Sequence, residues 1–424
     1  MTEIEFPQPP HPPVLVKFCA GLILTADSGH GLRAWIASNP KSCVASTTSL
    51  SKSQREHSST TPTALAATRS PHLDGIEIAV GFEDGSFSIY DLNIKVSRLS
   101  LRFTRSGSTG ETVTSMAASS PYLLTVSQRK VLSLYKMPLG HRSPGEVDTT
   151  GEEVRLLASL TADNIMAPMS LSIRVVQSEI IASIVYSFFH IGCGWSLGIQ
   201  ELRLDRDGQQ IGSRLATTVD SQYGIQSLQS IALSRRGSHS VPNYGNGRGS
   251  GRIFSVPTEP SILHQEPPTS LSYSHPYLLA SHADNTLTMY LIVSTSGHLF
   301  VKGGQRLWGH TSSVATVQVS DRGKAISVSS RGDEIRVWEL ETVLSSPAAQ
   351  GRMKENSIRL SPENNTGTEW QAGRDLLNST RLTSTDISRQ LARMRGCVGF
   401  DDERILLLRE KETGTPLLEC YDFI

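Results

Sequence analysis

The 424-residue chain has no net charge, since 40 Lys and Arg balance 40 Asp and Glu. No global field draws it toward nucleic acid or an anionic membrane, and neither is expected as a partner. Cysteine is sparse too: Cys19, Cys43, Cys193, Cys397 and Cys420 lie scattered without C-x-x-C spacing. That odd count gives no disulfide framework and fits a reducing compartment. Apolar runs are short of the roughly 20 residues that span a bilayer. The start, MTEIEFPQPPHPPVLVKF, lacks the basic region and apolar core of a secretory signal. A soluble protein of the cytoplasm or nucleus is expected, in which the sequons at Asn364 and Asn378 are chance matches. No metal or cofactor is indicated. His190 and Cys193 stand three apart in an apolar segment, two ligands short of a metal site, and are read as core.

What the chain does have is a repeated strand pattern, clearest in Leu307 to Leu340, LWGHTSSVATVQVSDRGKAISVSSRGDEIRVWEL. Val314 to Val319 alternate apolar and polar, Asp321-Arg322-Gly323 turns into Ala325 to Ser329, and Arg331-Gly332-Asp333 turns again into Ile335 to Trp338. This is one blade of a β-propeller. A blade cannot bury both of its faces alone, so one implies several more around a channel.

Six further units repeat the design. Glu77 to Leu92 turns at Asp84-Gly85, Tyr122 to Tyr135 at Gln128-Arg129-Lys130, and Leu278 to Leu291 at Asp284-Asn285. Leu22 to Trp35 has a Gly-rich turn, Ile180 to Leu204 is a divergent pair, and Val398 to Phe423 supplies the last two strands. Seven units predict an all-β, seven-bladed propeller forming a single domain over 1–424, with Val14 to Phe18 closing the ring against Leu417 to Phe423. Polar stretches near 38–62, 138–153, 223–268 and 345–388 cannot bury enough apolar surface to fold alone, and are read as loops or disordered insertions. Asp386 to Arg395 reads as a short basic helix with a solvated face.

The Gly309-His310 pair and the Trp338-Glu339 ending make this blade resemble the WD-repeat family, which carries a Gly-His before the first blade strand and a Trp-Asp or similar pair after the third. The resemblance implies structural roles for His310 and Trp338, in a network running from the His to a turn Asp, a strand hydroxyl and the Trp. The spacing departs from the family at one point: Gly332 stands at the turn-Asp place and Asp333 follows it, so a His310–Asp333 bond is not secured. Asp84 and Asp284 do occupy the family position, but neither has a Gly-His pair to answer it. Arg331 falls where some WD-repeat substrate receptors carry a channel-facing arginine that bonds carboxylates or phosphates, and is the candidate partner-binding residue. Glu83 and Ala283 at comparable places mean that no ring of arginines converges there.

The last 120 or so residues also resemble the tail of fungal F-box and WD-repeat proteins, which act as substrate receptors of cullin-RING ubiquitin ligases. No F-box pattern is found in Met1 to Phe18, so ligase machinery is expected as a partner only if an F-box lies upstream.

One catalytic pattern competes. Gly194-Trp195-Ser196-Leu197-Gly198 fits the G-x-S-x-G elbow of serine hydrolases, but Ile199 to Leu204 alternates like a strand where a hydrolase needs a helix. The reading is therefore non-enzymatic, with Trp195 packed between sheets and protein or peptide ligands bound at the propeller rim. The alternatives are an assembly scaffold unrelated to ubiquitin and a hydrolase using Ser196.

Overall fold

The computed structural model describes residues 2–4, 14–47, 50, 61–70, 75–107, 110–138, 154–161, 165–222, 262–332, 334–341, 357–360, 393–401, 404–410 and 416–422. Their strands form seven four-stranded antiparallel sheets. Blade 1 is β2 (Leu15–Cys19), β3 (Leu22–Asp27), β4 (Gly31–Ile36) and β5 (Asn39–Ser46). Blade 2 is β6 (Pro62–Arg69), β7 (Gly75–Phe82), β8 (Phe87–Asn93) and β9 (Arg98–Arg105). Blade 3 is β10 (Val113–Ser119), β11 (Tyr122–Ser127), β12 (Val131–Lys136) and β13 (Arg155–Thr161). Blade 4 is β14 (Met166–Val176), β15 (Glu179–His190), β16 (Gly194–Leu204) and β17 (Gln210–Thr217), followed by the short helix α1 (Thr218–Gln222). Blade 5 is β18 (Ser270–Ser274), β19 (Tyr277–Ser281), β20 (Leu287–Ser294) and β21 (Leu299–Leu307). Blade 6 is β22 (Val314–Val319), β23 (Lys324–Ser329), β24 (Ile335–Glu339) and β25 (Ser357–Leu360). Blade 7 is β26 (Arg393–Phe400), β27 (Arg404–Glu410) and β28 (Pro416–Asp422), completed by β1 (Thr2–Ile4).

The second strand of each blade explains why the ring forms. Side chains alternate between the two faces of a strand, and here both faces are covered by neighbouring blades. In blade 1, Leu22 and Leu24 pack on Ile76, Ile78 and Val80 of blade 2. Ile23 and Trp35 point the other way, onto Leu406 and Leu418 of blade 7. The same division continues around the molecule, so that seven apolar clusters fill the seven seams between blades. Burying each such Leu or Ile contributes about 1.5 to 3 kcal/mol, and no blade has this core without its neighbours. The first strands β2, β6, β10, β14, β18, β22 and β26 each contact the next, and β26 returns to β2.

Closure uses a different strand from the one the sequence pointed to. Leu15–Cys19 is the inner strand of blade 1, paired with Leu22–Ala26. The strand that joins the chain start to blade 7 is β1, with Thr2 opposite Cys420 and Ile4 opposite Leu418. Three polar stretches read as insertions also contribute to the ring. Asn39–Ser46 and Ser357–Leu360 are the outer strands of blades 1 and 6, and residues 262–268 lead into blade 5 with His264 buried. Outer strands carry one solvated face, so their sequences lack the apolar run that marks an inner one. At the end of the expected basic helix, Arg393 to Arg395 belong to β26, paired with β27; residues 386–392 lie outside the described ones. No helix among the described residues is long and apolar enough to cross a membrane.

Candidate interaction face

Because every sheet is antiparallel, the turns between second and third strands share one face of the ring with the links from each outer strand to the next blade. The turns at Asp84, Gln128, Asp284 and Arg331 all lie there, held by local geometry. At Asp84-Gly85, Gly85 has φ +81°, and the Asp84 carboxylate accepts from the Ser86 N–H at 2.9 Å and its hydroxyl at 2.5 Å. Asp284 plays the same part for Thr286, at 3.2 and 2.6 Å. Both carboxylates thus cap their own turns.

Blade 6 carries the most connected network on this face. The Trp338 indole donates to Ser327 Oγ at 2.8 Å, and His310 Nε2 lies 2.6 Å from the same oxygen. Indole is a donor only, so the Ser327 proton is free to go to His310 Nε2, leaving the ring proton on Nδ1. Nδ1 faces Glu334 at 3.5 Å. The carboxylate partner is Glu334; Asp333 lies outside the described residues. Glu334 also accepts from the Thr311 N–H at 2.9 Å, the Thr311 hydroxyl at 3.0 Å and Arg336 Nε at 2.8 Å. Burial works to raise this carboxyl, but the Thr311 N–H, Arg336 and the Thr311 hydroxyl outweigh it and bring it down to about 2. His310 is pushed down to about 4, chiefly by burial, against the opposing pull of Glu334.

Arg331 sits at the tip of the same hairpin. It is exposed, and it makes no ion pair among the described residues. Its neighbour Gly332, at φ +71°, is buried, and the Gly332 carbonyl accepts from the Arg409 guanidinium of blade 7. Arg409 in turn pairs with Glu419 at 3.0 Å. Arg331 is therefore presented by a turn clamped to the next blade.

Blade 5 holds a histidine pair that the sequence did not announce. His264 enters from the link before the blade and stacks on His282 of its turn, ring centroids 3.9 Å apart and planes within 9°. Both rings reach Thr288 Oγ1, at 3.4 and 3.2 Å. Burial is the main cause that lowers both, His264 to about 4 and His282 to about 3. His264 lacks a preceding Gly and is followed by Pro267-Pro268, so the Gly-His signal that exposes His310 is missing.

Ser196, by contrast, is 2% exposed within β16, and its hydroxyl donates to the Gly194 carbonyl at 3.3 Å. A strand follows it, not a helix, so the elbow geometry is absent. Trp195 departs from the expected packing between sheets: it is half-buried at the hairpin tip, edge-on to Phe189 at 5.9 Å. His190 and Cys193 belong to that hairpin's turn, where the Cys193 N–H donates to the His190 carbonyl at 3.2 Å. Among the described residues no three His, Cys, Asp or Glu side chains are grouped to hold a metal ion.

The F-box protein pof12 β-propeller family matches residues 1–424. The chain belongs to that family. Against F-box protein pof12 of Schizosaccharomyces pombe it is 34% identical over 76 residues, which is 18% of this chain and 17% of that protein. Among solved structures, the WD40 propeller domain of Doa1 covers 98% of this chain, with 95% of its own length matched, at 10% identity and a TM-score of 0.43. The C-terminal WD40 domain of Sif2 covers 95%, with 78% of its own length matched, at the same identity and TM-score. Propellers of the F-box and WD40 type generally hold protein partners.

Proposed function

We propose that this propeller is the substrate-recognition module of an F-box-type cullin-RING ubiquitin-ligase receptor of the cytoplasm or nucleus. It holds its protein ligands on the face that carries the turns between second and third strands. The observation that carries the reading is the family match over all 424 residues. The site is supported by Arg331, a guanidinium exposed on a turn that Arg409 fixes to the neighbouring blade. Such a group suits a carboxylate or phosphate, for which a charge-assisted bond contributes about 1.5 to 3 kcal/mol. The role is recognition, without catalysis by Ser196.

The test compares proteins captured from cells by the wild type and by Arg331→Glu at matched stability, then follows the turnover of each captured protein with and without the gene. Partners lost from the variant, and longer-lived when the gene is deleted, are the expected result. Identical partner sets would remove the site. Partners whose turnover does not depend on the gene would favour the assembly scaffold.

A further inference from the structure

Blade 4 differs from the other six on the proposed binding face. Its β15 and β16 run 12 and 11 residues, where the corresponding strands of the other blades have five to eight. The inner strand β14 stops pairing at Ser187, and the outer strand β17 at Gly198. Beyond those points the two strands of the hairpin still pair with each other, through Phe188 opposite Ser196, Phe189 opposite Trp195 and His190 opposite Gly194. The tip therefore extends past the ends of the flanking strands of its own blade. At that end Phe189 is 57% exposed and Ile191 is 97% exposed, a placement that costs free energy in water unless something covers it.

The overhang leans toward blade 5. The Trp195 N–H donates to the His264 carbonyl at 2.9 Å, which brings the exposed Leu263 beside the hairpin. Arg306 continues the surface: it donates to the Leu263 carbonyl at 3.4 Å, lies 3.7 Å from Asp284, and its guanidinium is 5.9 Å from the exposed Trp308 ring. Next to this apolar strip opens a cavity of about 390 Å³ between Leu263 and Glu266 on one side and His282 and Asp284 on the other.

Among the described residues, acid outnumbers base around the cavity. Glu266 is exposed and makes no ion pair among the described residues, while the Asp284 side chain remains 51% exposed despite Arg306. Two carboxylates, Glu266 and Asp284, stand against the one guanidinium of Arg306. The buried histidines do not redress this, because both are uncharged at neutral pH.

We infer that this part of the face binds a peptide segment of a protein partner in which an aromatic or aliphatic side chain is flanked by Lys or Arg. The apolar side chain packs against Phe189, Ile191 and Leu263, and the cation enters the cavity between Glu266 and Asp284. A basic flank is selected because a carboxylate there meets like charge, whereas Lys or Arg meets a surplus of acid. The inference rests on the proposed reading of this face as the one that binds proteins. It places a second subsite two blades round from the hairpin of blade 4 to Arg331, with opposite charge preference.

The probe is a random dodecapeptide phage library panned on the full chain, followed by fluorescence anisotropy of the enriched peptides on the wild type, Ile191→Ser, Glu266→Lys and Arg331→Glu. Ile191 and Glu266 are exposed, so both substitutions leave the fold intact. The expected result is enrichment of peptides pairing an aromatic or aliphatic residue with Lys or Arg. Their affinity should fall about thirtyfold in Ile191→Ser and in Glu266→Lys, the scale of one interface hot spot, and stay within about twofold in Arg331→Glu. Acidic peptides whose binding is lost only in Arg331→Glu would overturn the inference and leave the face reading standing. Peptides that bind all four proteins alike would overturn both. A wild-type dimer in sedimentation that Ile191→Ser dissociates would assign the strip to a second copy of the chain and equally overturn it.

Discussion

Glu334 faces His310 Nδ1 at 3.5 Å and is 1% exposed, so the described carboxylate beside His310 in blade 6 is a glutamate one residue beyond the Asp333 that its sequence offers. The distance is long for a hydrogen bond. The carboxylate's stronger contacts are those to Thr311 and Arg336, which join the link before the blade to its third strand.

Glu334→Ala is expected to destabilise the protein by about 3 to 5 kcal/mol, because it removes one partner of the buried Glu334–Arg336 pair and the acceptor of the Thr311 N–H and hydroxyl. Trp338→Ala should cost a similar amount, about 3 to 5 kcal/mol, through the cavity left in the seam between blades 5 and 6. Urea melts of the two variants and of the double variant measure this. A double variant no worse than either single one is expected if Glu334 and Trp338 act as one unit through Ser327 and His310; full additivity would show that they act separately.

Much of this architecture was legible beforehand, for a physical reason. A second strand such as Leu22–Asp27 is buried on both faces, so it reads as an apolar run ended by turn residues, and all seven such hairpins can be found. The outer strands read differently. In β9, β13 and β17 most side chains are exposed or half-buried, and the same solvated position explains why Asn39–Ser46 and Ser357–Leu360 passed for loops. The three-residue β1 is too short to carry any periodicity. On the proposed binding face, the turn that carries Arg331 could be placed because the family pattern marks it. The blade 4–5 subsite could not, since it depends on a hairpin overhang visible only once the flanking strands are paired.

Acid should unfold the protein in two stages. His310, His264 and His282 have folded values near 4, 4 and 3, below the 6.5 of a free histidine. The unfolded chain then binds more protons, so stability present above pH 6.5 is lost as pH falls toward 4, on the order of 2 kcal/mol per histidine by pH 5. Glu334, lowered to about 2, adds a second loss in the same direction as pH falls from about 4.5 toward 2. Urea midpoints at pH 7, 6 and 5 check the first stage, which His310→Asn should make shallower; midpoints independent of pH across that range would contradict it.

Deleting Thr2–Ile4 should destabilise blade 7 by about 2 kcal/mol, taking about 0.5 to 1.5 kcal/mol for each lost strand hydrogen bond. The deletion also turns β28 into an open edge, a template for pairing with other chains. A lower melting temperature together with concentration-dependent aggregation is the expected signature. Unchanged melting would mean that the ring closes without this strand.

Gly332 links the stability of the ring to the presentation of Arg331. Its φ of +71° is a conformation that costs a residue with a Cβ roughly 1 to 2 kcal/mol, and a Cβ there would lie 2.9 Å from Arg409 Cζ. Gly332→Ala must therefore push Arg409 off the Gly332 carbonyl, and it weakens the tie between blades 6 and 7 at the residue beside Arg331. The variant should lose about 2.5 to 5 kcal/mol of stability, the sum of that strain and one charge-assisted bond. It should also lose partners in common with Arg331→Glu when assayed below its own melting temperature, whereas Arg331→Glu alone leaves the melt unchanged. Partner binding by Gly332→Ala that equals the wild type, in protein shown to be folded, would mean that the clamp on Arg409 does not set how Arg331 is presented.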